Sequence, residues 1–383
     1  MVLLGPFFMK RVGVNTRFLL NDKMEGFGWY TFETISRLVK LHPDISFFFF
    51  FDRPYDSKFI FAKNVTPVVL YPPARHPILF KIWYDFVVTR ALKKYKIDLF
   101  ISPDGYVSLR TNVPQLAVIH DLNFEHFPDD LPANASRYLR KYFPLFAAKA
   151  NHILTVSEFS KNDIITTYGI QQDKITVAYN GAAECFKPVS ENLIEQTKKK
   201  YTSNHSYFLF VGALHPRKNI KRLLEAFDLF KTKTGSTTKL LIVGEDYYWS
   251  NAMKLAWDNL AYRDEVIFTG HLEINELVNV YGAAKGLAFV SYFEGFGIPI
   301  VEAMKCACPV IVAQDTACHE IAGDAALLCD PYSVDSICEG LEKLDSDQTL
   351  RLQLIGKGLN RAESFSWDTT ANQMSKLVTK LSS

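Results

Sequence analysis

The chain is 383 residues long, 48% apolar and 22% charged, with a net charge of +2. Those values fit a folded protein of two domains and exclude general disorder, collagen-like repeats and a strongly basic nucleic-acid binder. The charge is uneven, net +6 over residues 1–181 and net −4 over residues 182–383, which indicates two domains with different partners.

From the start of the chain, the apolar stretch 1–8 is followed by Lys10 and Arg11, the reverse of signal-peptide order. The reading is a cytoplasmic protein whose natural start is Met1 or Met9. Short apolar runs then predict strands over 11–15, 45–51, 65–70, 98–101, 115–119, 152–156 and 174–178. Between them, amphipathic stretches predict helices over 30–41, 78–95, 135–150 and 159–168. The polar segment 182–206, with Pro188 and few apolar residues, reads as a boundary. Beyond it, strands are expected over 207–211, 239–243, 266–269, 286–290, 309–312 and 326–328, and helices over 220–231, 251–261, 274–284 and 299–305. Continuous apolar strands, each followed by a helix, indicate parallel sheets covered on both faces. The expected organisation is a domain over 1–182, a second over 183–363, and a last helix over 364–383. No run reaches the ~18–20 apolar residues that span a bilayer. The six cysteines show no paired C-x-x-C spacing and read as reduced thiols.

Ligands of open α/β sheets bind beyond the carboxyl ends of strands, and four residue sets fall there. Gly26-Phe27-Gly28 precedes a helix after the first strand. It suits backbone approach to a phosphate, and equally an ordinary loop. His120-Asp121 ends the strand over 115–119, as a structural hydrogen-bonding pair or a functional one. Gly212 to Asn219 carries His215, Pro216, Arg217 and Lys218 before a helix. Cations there oppose the helix dipole unless an anion binds, and Arg with Lys suits a diphosphate. Finally, Glu294-Gly-Phe-Gly297-Ile-Pro299 leads into a helix that holds Glu302 among apolar neighbours. A carboxylate there is costly unless it is exposed or hydrogen-bonded. Eight residues of helix separate Glu294 from Glu302 by ~12 Å, too far for a glycosidase pair. Two carboxylates gripping different parts of one elongated ligand fit better.

Glu294 and Glu302 form an E-x7-E motif. With VGALHPRKN, VSEFSKNDI, the IHDL around His120, VAYNG at Val177–Gly181 and a closing FSW, nearly the whole chain resembles the retaining glycosyltransferases of family 4. That resemblance implies an α/β GT-B fold, two Rossmann-like doubly wound domains facing a cleft, with the last helix crossing back to the first domain. It implies transfer of a hexose, of mannose or glucose type, from a nucleoside diphosphate sugar to an acceptor hydroxyl in bacterial-type polysaccharide or glycolipid assembly. The second domain would bind the donor and the first the acceptor. Glu302 would hold the ribose. Glu294 would hold the transferred sugar, helped by backbone N–H groups of Phe296, Gly297 and Ile298. Arg217 and Lys218 would bind the diphosphate, Gly28 the distal phosphate, His120 the sugar, and Gly270, His271 and Leu272 would lie near the base. No metal and no other cofactor is expected. Ala213 departs from the Arg that many members carry, which shifts phosphate work to Arg217. The alternatives are a sugar-nucleotide epimerase or hydrolase on the same fold, or a nonenzymatic binding partner.

The segment 75–96 holds six basic residues and one acidic, and 137–149 holds four basic and none acidic, both interleaved with aromatics. Such helices lie on anionic membranes, or pack as ordinary amphipathic helices. The expected partners are therefore a nucleotide-sugar donor, a glycan or lipid-linked acceptor and an anionic membrane surface at the inner face of the plasma membrane, without nucleic acid.

Overall fold

Runs such as Ser46–Phe51 (SFFFFF) are apolar on both sides of the strand, so they fold only where both faces are covered. The computed structural model describes residues 10–21, 24, 26–245 and 250–382. The start-site reading at Met1 and Met9 lies outside those residues. The chain divides into two compact units, Met1–Asn180 with Trp367–Ser383, and Gly181–Ser366.

In unit 1 the order is β1 (Arg11–Asn15), α1 (Gly26–Leu41), β2 (Ser46–Phe51), β3 (Val65–Val69), α2 (Pro77–Ile82), α3 (Thr89–Lys94), β4 (Leu99–Ser102), β5 (Gln115–Val118), α4 (Asn123–His126), α5 (Ala133–Lys149), β6 (His152–Thr155), α6 (Glu158–Tyr168) and β7 (Ile175–Val177). The strands form one parallel sheet in the order β3-β2-β1-β4-β5-β6-β7. Val14, Phe47, Phe49, Phe100, Leu116 and Ile153 are fully buried along it.

Unit 2 runs α7 (Glu191–Thr202), β8 (Tyr207–Val211), α8 (Ile220–Thr234), β9 (Lys239–Val243), α9 (Asn251–Asp258), β10 (Val266–Gly270), α10 (Ile274–Ala283), β11 (Gly286–Phe289), α11 (Ile298–Lys305), β12 (Val310–Ala313), α12 (Ala317–Ala322), β13 (Ala326–Cys329), α13 (Val334–Ser346) and α14 (Gln348–Ala362). Its parallel sheet has the order β10-β9-β8-β11-β12-β13. In both units the order reverses direction beside the first strand, between β1 and β4 and between β8 and β11. That switch point is where a doubly wound sheet leaves a crevice for ligands. Helix α15 (Trp367–Leu381) belongs to unit 1, where Trp367 meets Tyr30 at 5.9 Å and Asp368 pairs with Arg37 at 2.6 Å.

Several local expectations need correction. Gly26-Phe27-Gly28 is the first turn of α1 rather than a loop before it. The helix expected over 78–95 is α2, a π-helical turn Trp83–Val88, then α3. The wide turn accommodates adjacent Trp83 and Tyr84, both fully buried, and Tyr84 Oη accepts from Asn15 Nδ2 at 2.9 Å. The boundary segment contains α7, whose polar sequence is helical with Glu191 in its first turn and Lys199 and Lys200 in its last, matching the helix dipole. Helices α12, α13 and α14 have no counterpart in the sequence reading. The six cysteines are free, five of them buried and Cys185 half-buried. Among the described residues no helix is long and apolar enough to cross a membrane.

Candidate functional site

Because β8 and β11 are neighbours at the switch point, the loops after them meet. The loop after β8 ends in a tight turn, Pro216–Lys218, that fixes Arg217 and Lys218 side by side. Asn219 closes it in a left-handed conformation (φ 62°) and is buried. Its Nδ2 donates to Val290 O at 3.0 Å and Pro331 O at 2.6 Å, which stitches the turn to the end of β11 and to the loop after β13.

The loop after β11 supplies Glu294, 6% exposed. Its carboxylate pairs with Arg217 Nη1 at 2.6 Å and with Lys218 Nζ. Arg217 also donates to Phe293 O at 3.2 Å, and Lys218 Nζ lies 4.9 Å from the centre of the Phe289 ring. Burial alone would raise the Glu294 carboxyl, but the two cations more than offset it and hold it at about 2. Burial pushes Lys218 down, and Glu294 opposes that shift. The sequence reading kept Glu294 on a sugar and the two cations on phosphate; the geometry joins all three in one cluster with a net positive charge.

Gly297 has φ 94°, and a Cβ there would lie 2.9 Å from Ile300 Cδ1, so the entry to α11 needs glycine. Phe296 is buried with its ring edge-on to Phe365 at 5.6 Å, and Ile298 opens the helix. One turn further along α11, Glu302 is half-buried and its Oε2 accepts from Tyr281 Oη at 2.8 Å. Burial pushes this carboxyl up to about 7, against the weaker opposing effects of Tyr281 and Lys305. Gly270 ends β10 at φ 70°, with its carbonyl accepting from Gly244 N–H at 3.0 Å; His271 beside it is exposed and Leu272 buried.

The remaining expected residues, His120 and Gly28, lie in unit 1. His120 follows β5. Its Nε2 donates to Pro103 O at 2.8 Å, which leaves Nδ1 as the ring's acceptor. Burial lowers its pKa, so the ring is neutral at pH 7. Its partner is therefore Pro103, not Asp121, whose Oδ1 instead accepts from Asn123 N–H at 3.1 Å. The rings of Phe27 and Tyr30 stand edge-on to it at 4.9 and 4.6 Å, which brings the first turn of α1 beside His120. A Cβ on Gly28 would lie 2.7 Å from Phe18 O, so glycine is what lets α1 pack there. At the switch point of this sheet, Arg17 pairs with Asp104 at 2.7 Å inside a box of Phe18, Phe80, Tyr84 and Tyr106.

Sequence reasoning missed Asn219, Tyr281 and Asp104. An Asn just before a helix is a visible signal at Asn219, although its side chain bonds elsewhere instead of capping α8. The other two are set only by tertiary contacts.

Residues 24–183 match the model of Glycosyltransferase Family 4, and residues 192–361 match Glycosyl transferases group 1. An O-antigen chain mannosyltransferase RfbU of Salmonella typhimurium is 30% identical over 70% of this chain and 72% of its own length. The chain is a GT-B glycosyltransferase of this family. The glycosyltransferase is also 29% identical to O-antigen chain mannosyltransferase B of Escherichia coli, over 74% of each chain. Its fold is that of the Anabaena protein Alr3699/HepE solved in complex with UDP-glucose, at a TM-score of 0.73 and 17% identity over 97% of this glycosyltransferase and 99% of that chain.

Proposed function

We propose that this glycosyltransferase moves a hexose of mannose type from a nucleoside diphosphate sugar to a hydroxyl of a glycan or lipid-linked acceptor, with retention at the anomeric carbon, in polysaccharide or glycolipid assembly. The observation that carries the reading is the Arg217–Glu294–Lys218 cluster at the switch point of unit 2. It holds two cations for a diphosphate and one carboxylate for the hydroxyls of the sugar attached to it. The mannosyltransferase names of the relatives and the UDP-glucose bound to the Anabaena protein support the donor class.

In this mechanism Glu302 accepts hydrogen bonds from the ribose, and Gly270, His271 and Leu272 border the base. The backbone N–H groups of Phe296, Gly297 and Ile298 help Glu294 with the sugar. As the bond from the anomeric carbon to the phosphate oxygen breaks, the ring gains positive charge and the diphosphate gains negative charge. Arg217 and Lys218 are already fixed by Glu294 and Asn219, so they stabilise the leaving group without reorganising. The acceptor oxygen bonds to the anomeric carbon on the face the diphosphate leaves, and the leaving phosphate takes the acceptor proton. His120, as a neutral imidazole, is assigned a sugar hydroxyl, and the Gly28 N–H the distal phosphate. The reaction needs no metal, and unit 1 makes peripheral contact with an anionic membrane through α2 and α5.

The test is product analysis with GDP-mannose, UDP-glucose and ADP-glucose, each with and without a mannose-containing acceptor. An α-linked product from an α-linked donor, formed only with acceptor, is expected. An inverted linkage, an epimerised donor, or free sugar as the sole product overturns the proposal.

A further inference from the structure

The two carboxylates of the unit 2 site are held in opposite ways. Glu294 is paired with two cations, whereas Glu302 takes its side-chain hydrogen bond from the neutral hydroxyl of Tyr281. Lys305, three residues on, adds positive charge near Glu302, but its Nζ donates to Ala182 O at 3.1 Å. Cys306 at the end of α11 and Cys185 in the segment before α7 also face Glu302. Burial pushes both thiols up, so they stay neutral.

Tyr281 has little freedom. It is fully buried on α10, with the ring of Phe186 edge-on to its own at 5.8 Å. The carbonyl of Val280, the residue before it, accepts from Tyr207 Oη of β8 at 2.7 Å. A Cβ on Gly282, the residue after it, would lie 2.5 Å from Val189 Cγ2, so α10 packs there without a gap. The helix is thus clamped between β8 and the segment before α7, which fixes where the Tyr281 hydroxyl points. Burial also pushes this phenol well above its ordinary value, so it remains a donor at any working pH.

A carboxylate taken from water reverts to its neutral form unless a partner favours the charge. A cation would do so, but it would also cancel the charge that a ligand hydroxyl seeks. A neutral phenol donates one proton to Oε2, leaves the charge in place and leaves Oε1 as an acceptor. We propose that Tyr281 is a positioning residue for the donor: its hydroxyl fixes the Glu302 carboxylate, Oε2 on the phenol and Oε1 on the ribose, without cancelling its charge. The inference rests on the ribose assignment of Glu302 above and adds the group through which that assignment works.

The experiment is a calorimetric titration of the whole chain, without acceptor, between pH 6 and pH 8.5. GDP-mannose, UDP-glucose and ADP-glucose are compared first, and the one that binds most tightly is carried through the series. Glu302→Gln is the pH control, because it keeps every other titrating group. Wild-type affinity should fall below pH 7 relative to that control. In Tyr281→Phe, which keeps the ring against Phe186, the fall should begin about one pH unit higher. Its affinity should then be about fivefold below wild type at pH 7 and within about twofold of it at pH 8.5. In the Glu302→Gln background, Tyr281→Phe should have no pH-dependent effect. If no sugar nucleotide binds, or if wild type does not fall relative to the control, the ribose reading and the proposal fail together. If wild type falls but Tyr281→Phe follows the same curve, or lies below it by one factor at every pH, the proposal alone is overturned. A pH-dependent effect of Tyr281→Phe without Glu302 overturns it as well.

Discussion

Glu294 faces two cations and Glu302 faces one tyrosine, and the two carboxyls titrate far apart, at about 2 and about 7. Glu294 is ionised at any working pH. On the proposed mechanism, replacing it by Gln removes a charge-assisted contact to the sugar worth about 1.5–3 kcal/mol and also the anion that fixes Arg217 and Lys218. Glu294→Gln should therefore mainly lower kcat, by roughly 10- to 150-fold or more, and steady-state kinetics with donor varied will show it. On the proposed mechanism Glu302 holds ribose hydroxyls with its charge, and it loses that charge as pH falls through about 7. The wild-type donor KM should rise by up to about tenfold per pH unit below 7, whereas Glu302→Gln should have a high KM that is flat between pH 6 and 8. Superimposable pH profiles would remove Glu302 from the ribose. Stability runs the other way. The folded pKa is raised above the ordinary 4.5, so the contribution of this group is complete below 4.5 and lost as pH rises through 7. Thermal melts should show Glu302→Gln gaining on wild type between pH 5 and pH 8. On the proposed mechanism the charge at the diphosphate comes from side chains, so transfer should persist in EDTA. Loss of activity that magnesium or manganese restores would contradict the phosphate role of Arg217 and Lys218.

At the scale of elements, α2, the π-helical turn and α5 make one surface of unusual character. Ile78 (66%), Ile82 (38%) and Phe86 (39%) are exposed at four-residue spacing, and Leu145 is exposed on α5. Arg110 lies 4.2 Å over Phe86, and Lys81 reaches Tyr142 at 5.2 Å, joining α2 to α5. Asp85, the acid of this segment, is buried against Lys81 and Leu109 N–H. Apolar tips with a basic surround match an anionic bilayer. Wild type should float with anionic vesicles at low salt and not with neutral ones, and Ile78→Glu with Ile82→Glu should stay at the bottom of the gradient. Absence of wild-type flotation would disprove the contact. This surface was half legible: its charges and aromatics stand in the sequence, but which of them face outward depends on the π turn. The strands were legible almost to the residue, because a strand covered on both faces is an unbroken apolar run, as in β2 and β8. Helix α7 was not, because its sequence is polar and its buried residues are Thr197 and Thr202. The site divides in the same way. Arg217, Lys218, Glu294 and Glu302 stand out by type and place, whereas their direct pairing follows from β8 and β11 being neighbours, which local sequence does not encode.

For the whole molecule, the notable feature is that unit 1 is completed by α15. Trp367, Ala371, Met374 and Val378 are buried, and His42 meets Ser375 at 2.7 Å. Trp367→Ala should cost about 3–5 kcal/mol, and hydrogen exchange should show that cost in β1 and α1 while the amides of unit 2 keep their protection. Equal loss in both units would mean that they do not unfold separately. The position of α15 also sets an order of events during translation. The 186 residues of unit 2 are made between Asn180 and Trp367, which takes on the order of 10–40 s at ribosomal speed. For that time Tyr30 on α1 has its His120 neighbour but lacks Trp367, while unit 2 already has all of its own strands. The half of the protein that is synthesised first is thus the half that finishes folding last, and Tyr30 waits for the final helix before it meets Trp367.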